Sequence, residues 1–389
     1  MKFQIVVLPL LFAVFPLAAN SSVIRVEKDG SGDFSVIQDA VDAAQDGDTI
    51  LIGPGRFTET HDFEYYNGAM IQVCITIDKS LNIQGSGREL SFIEPGGLNK
   101  QQDDPGGIAS RANGLELTLS DISIVNCPGR ALLFDQQSYD GRLTMERVDI
   151  FNCFSGVFVN GTTGSSISDC EIETIPYSPN GFFGRYVSDL SVADCHFVNG
   201  AVGIQGMTDG HNVITGCRFE GSTVGVDLVD CGSTEVTQCQ FVDCWRAGIG
   251  ISGTEGVLIY DVEVVGDGEA GIVVSHSEDL EVRNSVFNVS GLCVVFQSPS
   301  PGMIFRDNHI LSYPGSFGVW IASNYPGPDL VVDLSNNYWG TIDPEEVAAS
   351  IYDGNDDPDV HLFVDFLPMA DGPVSVERTT LDGIKAMYR

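Results

Sequence analysis

Phe158, Phe183, Gln205 and Asp227 follow one another at intervals of 25, 22 and 22 residues, with Arg185 two positions past the second phenylalanine. Asp209 and His211 come shortly after the glutamine. If a repeat brings these positions together, the phenylalanine rings offer apolar faces to sugar C–H groups. An arginine beside them can grip a carboxylate with two parallel hydrogen bonds. An aspartate or a histidine can move a proton, histidine being the side chain nearest neutrality. The candidate catalytic groups are therefore Arg185, Asp209 and His211, and the candidate substrate contacts are Phe158, Phe183, Gln205 and Asp227. Asp353, Asn355 and Asp357 have the spacing of a calcium loop, which makes Ca²⁺ the one cofactor to test for. Pro358 stands where that loop requires glycine, and Val364 where its last glutamate belongs. Six histidines without a close pair give no zinc site, and no metal ligand is assigned.

The chain carries 19 Lys+Arg against 54 Asp+Glu, a net charge of −35. That charge excludes nucleic-acid binding by phosphate neutralisation and electrostatic docking on anionic lipid. It also disfavours a highly acidic substrate unless Ca²⁺ bridges the two. With 43% hydrophobic residues and 44 glycines the chain is nonetheless a folded, turn-rich protein, not an acidic disordered one.

What positions the candidates is an internal repeat. Ile124, Ile150, Ile172, Phe197, Phe219, Phe241, Val264, Phe287, Ile310 and Trp339 close a common frame, spaced by 26, 22, 25, 22, 22, 23, 23, 23 and 29 residues. Each repeat then reaches a glycine and a second alternating run, as at Gly156, Gly203, Gly225, Gly248, Gly271 and Gly318. Period-2 alternation punctuated by Gly, Asn and Asp reads as short strands between tight turns. No repeat has room for a ten-residue helix. One frame with three short strands makes each repeat a coil of a parallel β-helix, with about 11–12 coils in all.

Coils in register stack like positions about 4.8 Å apart. Two residues before the anchor, Ile122, Val148, Cys170, Cys195, Cys217, Cys239, Val262, Ser285, Asn308 and Asn337 form an inward ladder. One residue earlier, Asp121, Asp169, Asp194, Gln238, Asp261, Asn284, Asp307 and Asn336 belong to a turn and are expected to bond neighbouring backbone. The stacked cysteines are expected as free thiols, because ladder spacing exceeds the Cβ separation of about 3.8 Å that a disulfide wants. Cys127 and Cys153, in adjacent turns, are the more plausible bridge. In the second strand an outward column reads Leu132, Phe158, Phe183, Gln205, Asp227, Gly250, Val273, Val295 and Trp320. Two residues further on, Phe134, Asn160, Arg185, Met207, Val229, Ser252, Ser275 and Gln297 form a parallel column.

The ends are readable too. Lys2, the apolar run Ile5 to Leu17 and Ala18-Ala19 form a secretory signal over residues 1–19, which predicts a secreted or cell-surface protein with no membrane span. Residues 20–46 make an N-terminal cap whose helix buries Val36, Ile37, Ala40, Val41 and Ala44, with Asp33 or Ser35 as its N-cap. Residues 47–370 form the solenoid and 371–389 a C-terminal tail, and a monomer is expected. Two insertions flank the early coils: Thr58 to Ala69, with His61, Phe63, Tyr65 and Tyr66, and Glu94 to Asn113, with Lys100, Asp103 and Asp104. Such loops are either functional or cover a face.

Asp29-Gly-Ser-Gly-Asp33-Phe34, Ile37-Gln-Asp-Ala40-Val41, Gly47-Asp-Thr-Ile50 and Gly53-Pro-Gly55-Arg-Phe57-Thr-Glu59 resemble the opening of pectin methylesterases. They are similar also to the wider pectate-lyase-like superfamily of right-handed parallel β-helices. Asn336-Asn337-Tyr338-Trp339-Gly340 with Asp343-Pro344 resembles the last coil of secreted β-helix-repeat proteins. The resemblance implies an all-β, right-handed parallel β-helix. It transfers no catalytic residue, because the aspartate and arginine motifs of pectin methylesterases are absent and that activity is excluded. Two functions stay open: binding or degrading an extracellular polysaccharide or cell-surface glycan, as a lyase or hydrolase, and a non-catalytic surface, adhesion or structural module.

Overall fold

The computed structural model describes residues 21–65, 68–95, 105–176, 178–298, 302–322 and 329–373. The signal sequence, the tail beyond 373, Tyr66, Lys100, Asp103 and Asp104 lie outside the described residues. The chain winds as a right-handed parallel β-solenoid of about 12 turns, with strands gathered into a 21-stranded and a 12-stranded sheet. Each coil gives the larger sheet two short strands that meet at a sharp corner, and gives the 12-stranded sheet one.

The corner explains the polar column. Asp121, Asp169, Asp194, Gln238, Asp261, Asn284, Asp307 and Asn336 all have φ between 50° and 61°, a left-handed conformation that Asp and Asn tolerate better than most residues. Their backbone N–H groups reach the next coil, as Asp194 does to the Thr215 carbonyl at 3.0 Å. The side-chain-to-backbone bonds expected of this column are found instead at the other turns of the coil, where Asp189 accepts from the His211 N–H and Asp243 from the Asp267 N–H.

Inside, like residues stack. Phe197, Phe219 and Phe241 lie nearly parallel, with centroids 5.1 and 4.8 Å apart. The adjoining column of Ile122, Val148 and the four cysteines is fully buried. Towards the C-terminus it turns into an amide ladder, in which Asn308 Oδ1 accepts from the Ser285 N–H (3.0 Å) and Asn337 Oδ1 from the Asn308 N–H (2.9 Å). These buried amides are admissible because each is so paired. All ten cysteines are free and buried, and this corrects the Cys127–Cys153 bridge: the Cys153 sulfur accepts the Cys127 N–H at 3.4 Å. Burial pushes the Cys127 and Cys217 thiols well above the usual thiol range.

The helix Ile37–Ala43 lays Ile37, Ala40 and Val41 over the first coil. Its N-cap is Val36 with no side-chain bond, because the Asp33 carboxylate is already taken by the Arg25 N–H at 2.8 Å. Ahead of it, Val23–Val26 pairs in parallel with Thr49–Ile52 and extends the sheet. At the other end, Asp343 caps the helix Pro344–Ala349, and Leu362–Asp365 pairs with Leu330–Asp333.

Candidate functional site

The 12-stranded sheet carries the candidate residues on its outer surface. In Asn180–Ser188, Val202–Asp209 and Val224–Val229, alternation sends Phe182, Ile204 and Val226 into the core and Phe183, Gln205 and Asp227 outward. Phe158, Phe183, Gln205 and Asp227 stand on successive rungs, as do Gly250, Val273, Val295 and Trp320 beyond them.

One rung earlier the expected column is wrong by a residue. Leu132 and Phe134 point into the core, and the outward positions are Leu133 and Asp135. The uniformly apolar Ala131-Leu132-Leu133-Phe134 carries no alternation from which to read the phase, although the pairing with the Phe158 rung is regular. Likewise Ser298, not Gln297, follows Ser275.

A hairpin, His61–Glu64 antiparallel to Met70–Val73, lies over the early rungs. Phe63, Ile71 and Val73 bury Ala109 and Leu133, while Tyr65 and Phe158 pack at the edge of that cluster. The Arg130 guanidinium sits 5.0 Å above the Phe158 ring and donates to the Tyr65 hydroxyl at 3.2 Å. Part of the Thr58–Ala69 insertion is therefore a cover, and Phe158 is partly accounted for by packing. Phe183 lies one rung beyond that cluster, half-buried, with its ring 5.5 Å from Phe158 and tilted from it by 19°.

Beside Phe183 runs a polar relay. Asn180 Nδ2 donates to Gln205 Oε1 and Gln205 Nε2 to Asp227 Oδ2, each at 3.1 Å. Burial raises the Asp227 carboxyl above the usual range, while the Gln205 bond and the nearby Arg246 charge oppose the shift. Arg185 is exposed, but its guanidinium lies 4.9 Å over the Tyr186 ring, in a group with the exposed Tyr139–Tyr186 pair.

Asp209 stays on this sheet but away from the relay, and His211 is not brought to the face. Asp209 ends its strand opposite Ser188, four residues and about 13 Å of strand beyond Gln205. His211 lies 3.5 Å from Glu235, a residue of the larger sheet, so the intervening turn carries it around the coil. Sequence reasoning missed Asp135, a fully buried carboxylate that accepts from Asn160 Nδ2 at 2.6 Å and lies 3.8 Å from Arg111 Nε. The polar pair Asp135-Gln136 after an apolar run was the signal for it.

The calcium-loop spacing does not make a metal site. Asp353 accepts the N–H groups of Asn355 and Val364, both at 2.8 Å, and Asp357 accepts the Tyr352 hydroxyl at 3.1 Å. Those carboxylates tie the loop to itself instead of converging. Among the described residues no group of three acidic, His or Cys side chains is placed to hold a metal ion, and no helix is long and apolar enough to cross a membrane.

The model of the right handed beta helix region matches residues 106–253 and 180–336. No curated protein matches the chain. Among solved structures, the chain is similar to the A-module of mannuronan C-5 epimerase AlgE4 from Azotobacter vinelandii, at 16% identity over 86% of this chain and 94% of that one, with TM-score 0.61. It is similar also to the catalytic domain of a GH87 alpha-1,3-glucanase in complex with nigerose, at 13% identity, 92% and 71% coverage and TM-score 0.57. The Agl-KA catalytic domain matches at 12% identity, 85% and 63% coverage and TM-score 0.51. At such identities the shared property is the fold. The two overlapping family matches together span more than half of the sequence, and the chain belongs to the right-handed β-helix family.

Proposed function

We propose that the protein is exported and binds an extracellular polysaccharide or cell-surface glycan on the outer face of its 12-stranded sheet. The carrying observation is the juxtaposition of the half-buried Phe183 ring with the Asn180–Gln205–Asp227 relay on a rigid, in-register surface. A ring for a sugar face beside fixed amide and carboxyl groups is the chemistry of a glycan site. Two of the similar structures, the mannuronan epimerase and the glucanase, act on polysaccharides as their names say, which agrees with this reading.

A hydrolase is the second reading, favoured by the burial that raises the Asp227 carboxyl above the usual range. Hydrolysis by two carboxylates needs them about 5–9.5 Å apart. The rungs flanking Asp227 supply Gln205 and Gly250, and Asp135 stands four rungs away, about 19 Å. Binding is therefore the better-supported activity. The test is a glycan array of the protein from residue 20 onward, with and without Ca²⁺, followed by titration of the best ligand. Phe183→Ala should weaken binding about tenfold, or about 1.4 kcal/mol, with an unchanged circular dichroism spectrum. Unaltered affinity in both Phe183→Ala and Gln205→Ala would refute the site, and release of reducing or unsaturated ends from the ligand would move the assignment to an enzyme.

A further inference from the structure

Beyond Asp227 the outward column continues through Gly250, Val273 and Val295 to Trp320 and Tyr352. Trp320 and Tyr352 are stacked with centroids 4.0 Å apart and planes within 8°. Phe317 packs edge-on against both, at 5.1 and 5.8 Å. The Tyr352 hydroxyl donates to Asp357 at 3.1 Å, which fixes the outer ring. This stack mirrors the Phe158–Phe183 stack at the other end of the same column.

Between the two stacks lie five rungs with smaller side chains: Gln205, Asp227, Gly250, Val273 and Val295. The rings thus stand as walls at the ends of a low floor. Six steps of about 4.8 Å separate Phe183 from Trp320, about 29 Å. The residues that border the floor directly are uncharged, with Arg246 and Glu269 one position further out. Val224, Ala247, Ala270 and Leu292 border one side, and Ser252 and Ser275 stand on the other. On a chain of net charge −35, a strip of that length with a single carboxylate, Asp227, marks a contact surface.

We propose that this trough holds an extended, unbranched and neutral glycan of about five sugar units parallel to the solenoid axis, its end units abutting the ring faces of Phe183 and Trp320. The proposal rests on the binding reading given above and adds to it a chain length, a charge class and a second aromatic subsite. The length follows because a pyranose unit in an extended chain is about one rung long, and two ring faces about 29 Å apart leave room for about five. Neutrality follows because the floor offers one ionisable group, Asp227, and the whole molecule repels a polyanion.

The experiment is calorimetric titration of the protein with linear glucan oligosaccharides of two to eight units, in α-1,3- and β-1,4-linked series, and with oligogalacturonates of the same lengths. Affinity should rise with length up to about five or six units and then level, with oligogalacturonates at least tenfold weaker. Trp320→Ala should cut binding of the six-unit ligand about tenfold and leave the two-unit ligand unchanged, whereas Phe183→Ala should weaken both. A plateau at two or three units, equal binding of oligogalacturonates, or a Trp320→Ala variant with wild-type affinity for six units would overturn the trough while leaving the Phe183 site standing. Loss of binding in Trp320→Ala alone, with Phe183→Ala unaffected, would overturn both, as would no binding of any oligosaccharide. Sedimentation showing a dimer that Trp320→Ala dissociates would assign the strip to self-association instead.

Discussion

Gly203→Ala adds one methyl group beneath the proposed site, and its consequence can be worked from distances. Gly203 lies near the start of the strand that carries Gln205. A Cβ there would stand 2.5 Å from the Gly225 carbonyl oxygen and 2.6 Å from Phe219 Cδ1. Neither neighbour is a flexible chain end. Phe219 is fully buried and stacked on both faces, and the carbonyl belongs to the next rung, where a Cβ at Gly225 would in turn meet the Gly248 carbonyl at 2.7 Å. Ordinary contact at about 3.5–4.0 Å requires a shift of about 1 Å. Overpacking of that kind costs about 1–3 kcal/mol. Alanine also restricts the unfolded chain, which offsets about 0.4–1 kcal/mol of the loss. The net expectation is a loss centred on about 1.3 kcal/mol. Urea unfolding followed by circular dichroism should show a lower midpoint at unchanged slope. Because each coil touches only its neighbours, faster hydrogen exchange should be confined to strands Asn180–Ser188, Val202–Asp209 and Val224–Val229. Gly372→Ala, whose added Cβ meets nothing within 4 Å, is the control and should stay within about 0.5 kcal/mol of wild type. A Gly203→Ala protein as stable as wild type, or more so, refutes the account of the glycine column.

Two further outcomes are expected. Asp227 has its folded carboxyl raised by burial, so its ionisation opposes folding: the penalty is absent well below the unfolded value of about 3.9 and grows as pH climbs through the folded value. Asp227→Asn should therefore gain stability relative to wild type at neutral pH and match it near pH 3; a difference that does not change with pH would contradict the cause assigned to the shift. The ten cysteines, all buried and free, should resist an alkylating reagent in the native protein and all react after denaturation without reductant, and mass spectrometry showing any bridged pair would count against the free-thiol ladder.

How far the sequence carried depended on how strongly each position was constrained by its neighbours on adjacent coils. The inward ladders were legible because a ring such as Phe219 can be accommodated only by another flat or branched side chain on the next rung, and the same frame recurs ten times. The left-handed corner was legible as Asp and Asn, and its φ values explain why those residues stand there. Phe183, Gln205 and Asp227 were placed correctly because they lie ahead of the register shift at Arg185–Val187, where alternation still holds. The phase failed at Leu132 and Phe134, where four apolar residues in a row leave the outward position undetermined. Asp209 stays in the Gln205 strand but four residues along it, and His211 failed for a different reason. A turn redirects the chain, so closeness in sequence to Gln205 says nothing about which face receives the side chain, and His211 emerges beside Glu235. The helix cap failed because a competing acceptor role for Asp33, at the Arg25 N–H, depends on the folded strand and has no local signature.

The distribution of charge over the coils ties these strands together. From residue 202 onward, the strands of the 12-stranded sheet read VGIQGMTD, VGVDLV, AGIGIS, AGIVVS, LCVVFQS and VWI, with Asp209 and Asp227 as their only charged residues. The same coils place Arg218, Glu220, Glu235, Glu263, Glu281 and Arg283 on the larger sheet. Both sheets send every second residue outward on the same backbone geometry, so the fold itself imposes no such asymmetry. Charging a solvated outer position costs almost nothing in folding energy, and on an acidic protein it aids solubility. Leaving Val224, Val273, Leu292 and Trp320 outward on the one sheet therefore goes against solubility without a gain in the core, since none of them reaches the interior cluster. What such a surface gains is contact with something that is itself uncharged and flat on the scale of a rung. The two aromatic stacks limit that contact at both ends of the column, and this is why the length dependence of oligosaccharide binding, more than affinity for any one sugar, decides between a glycan trough and a face that meets another protein.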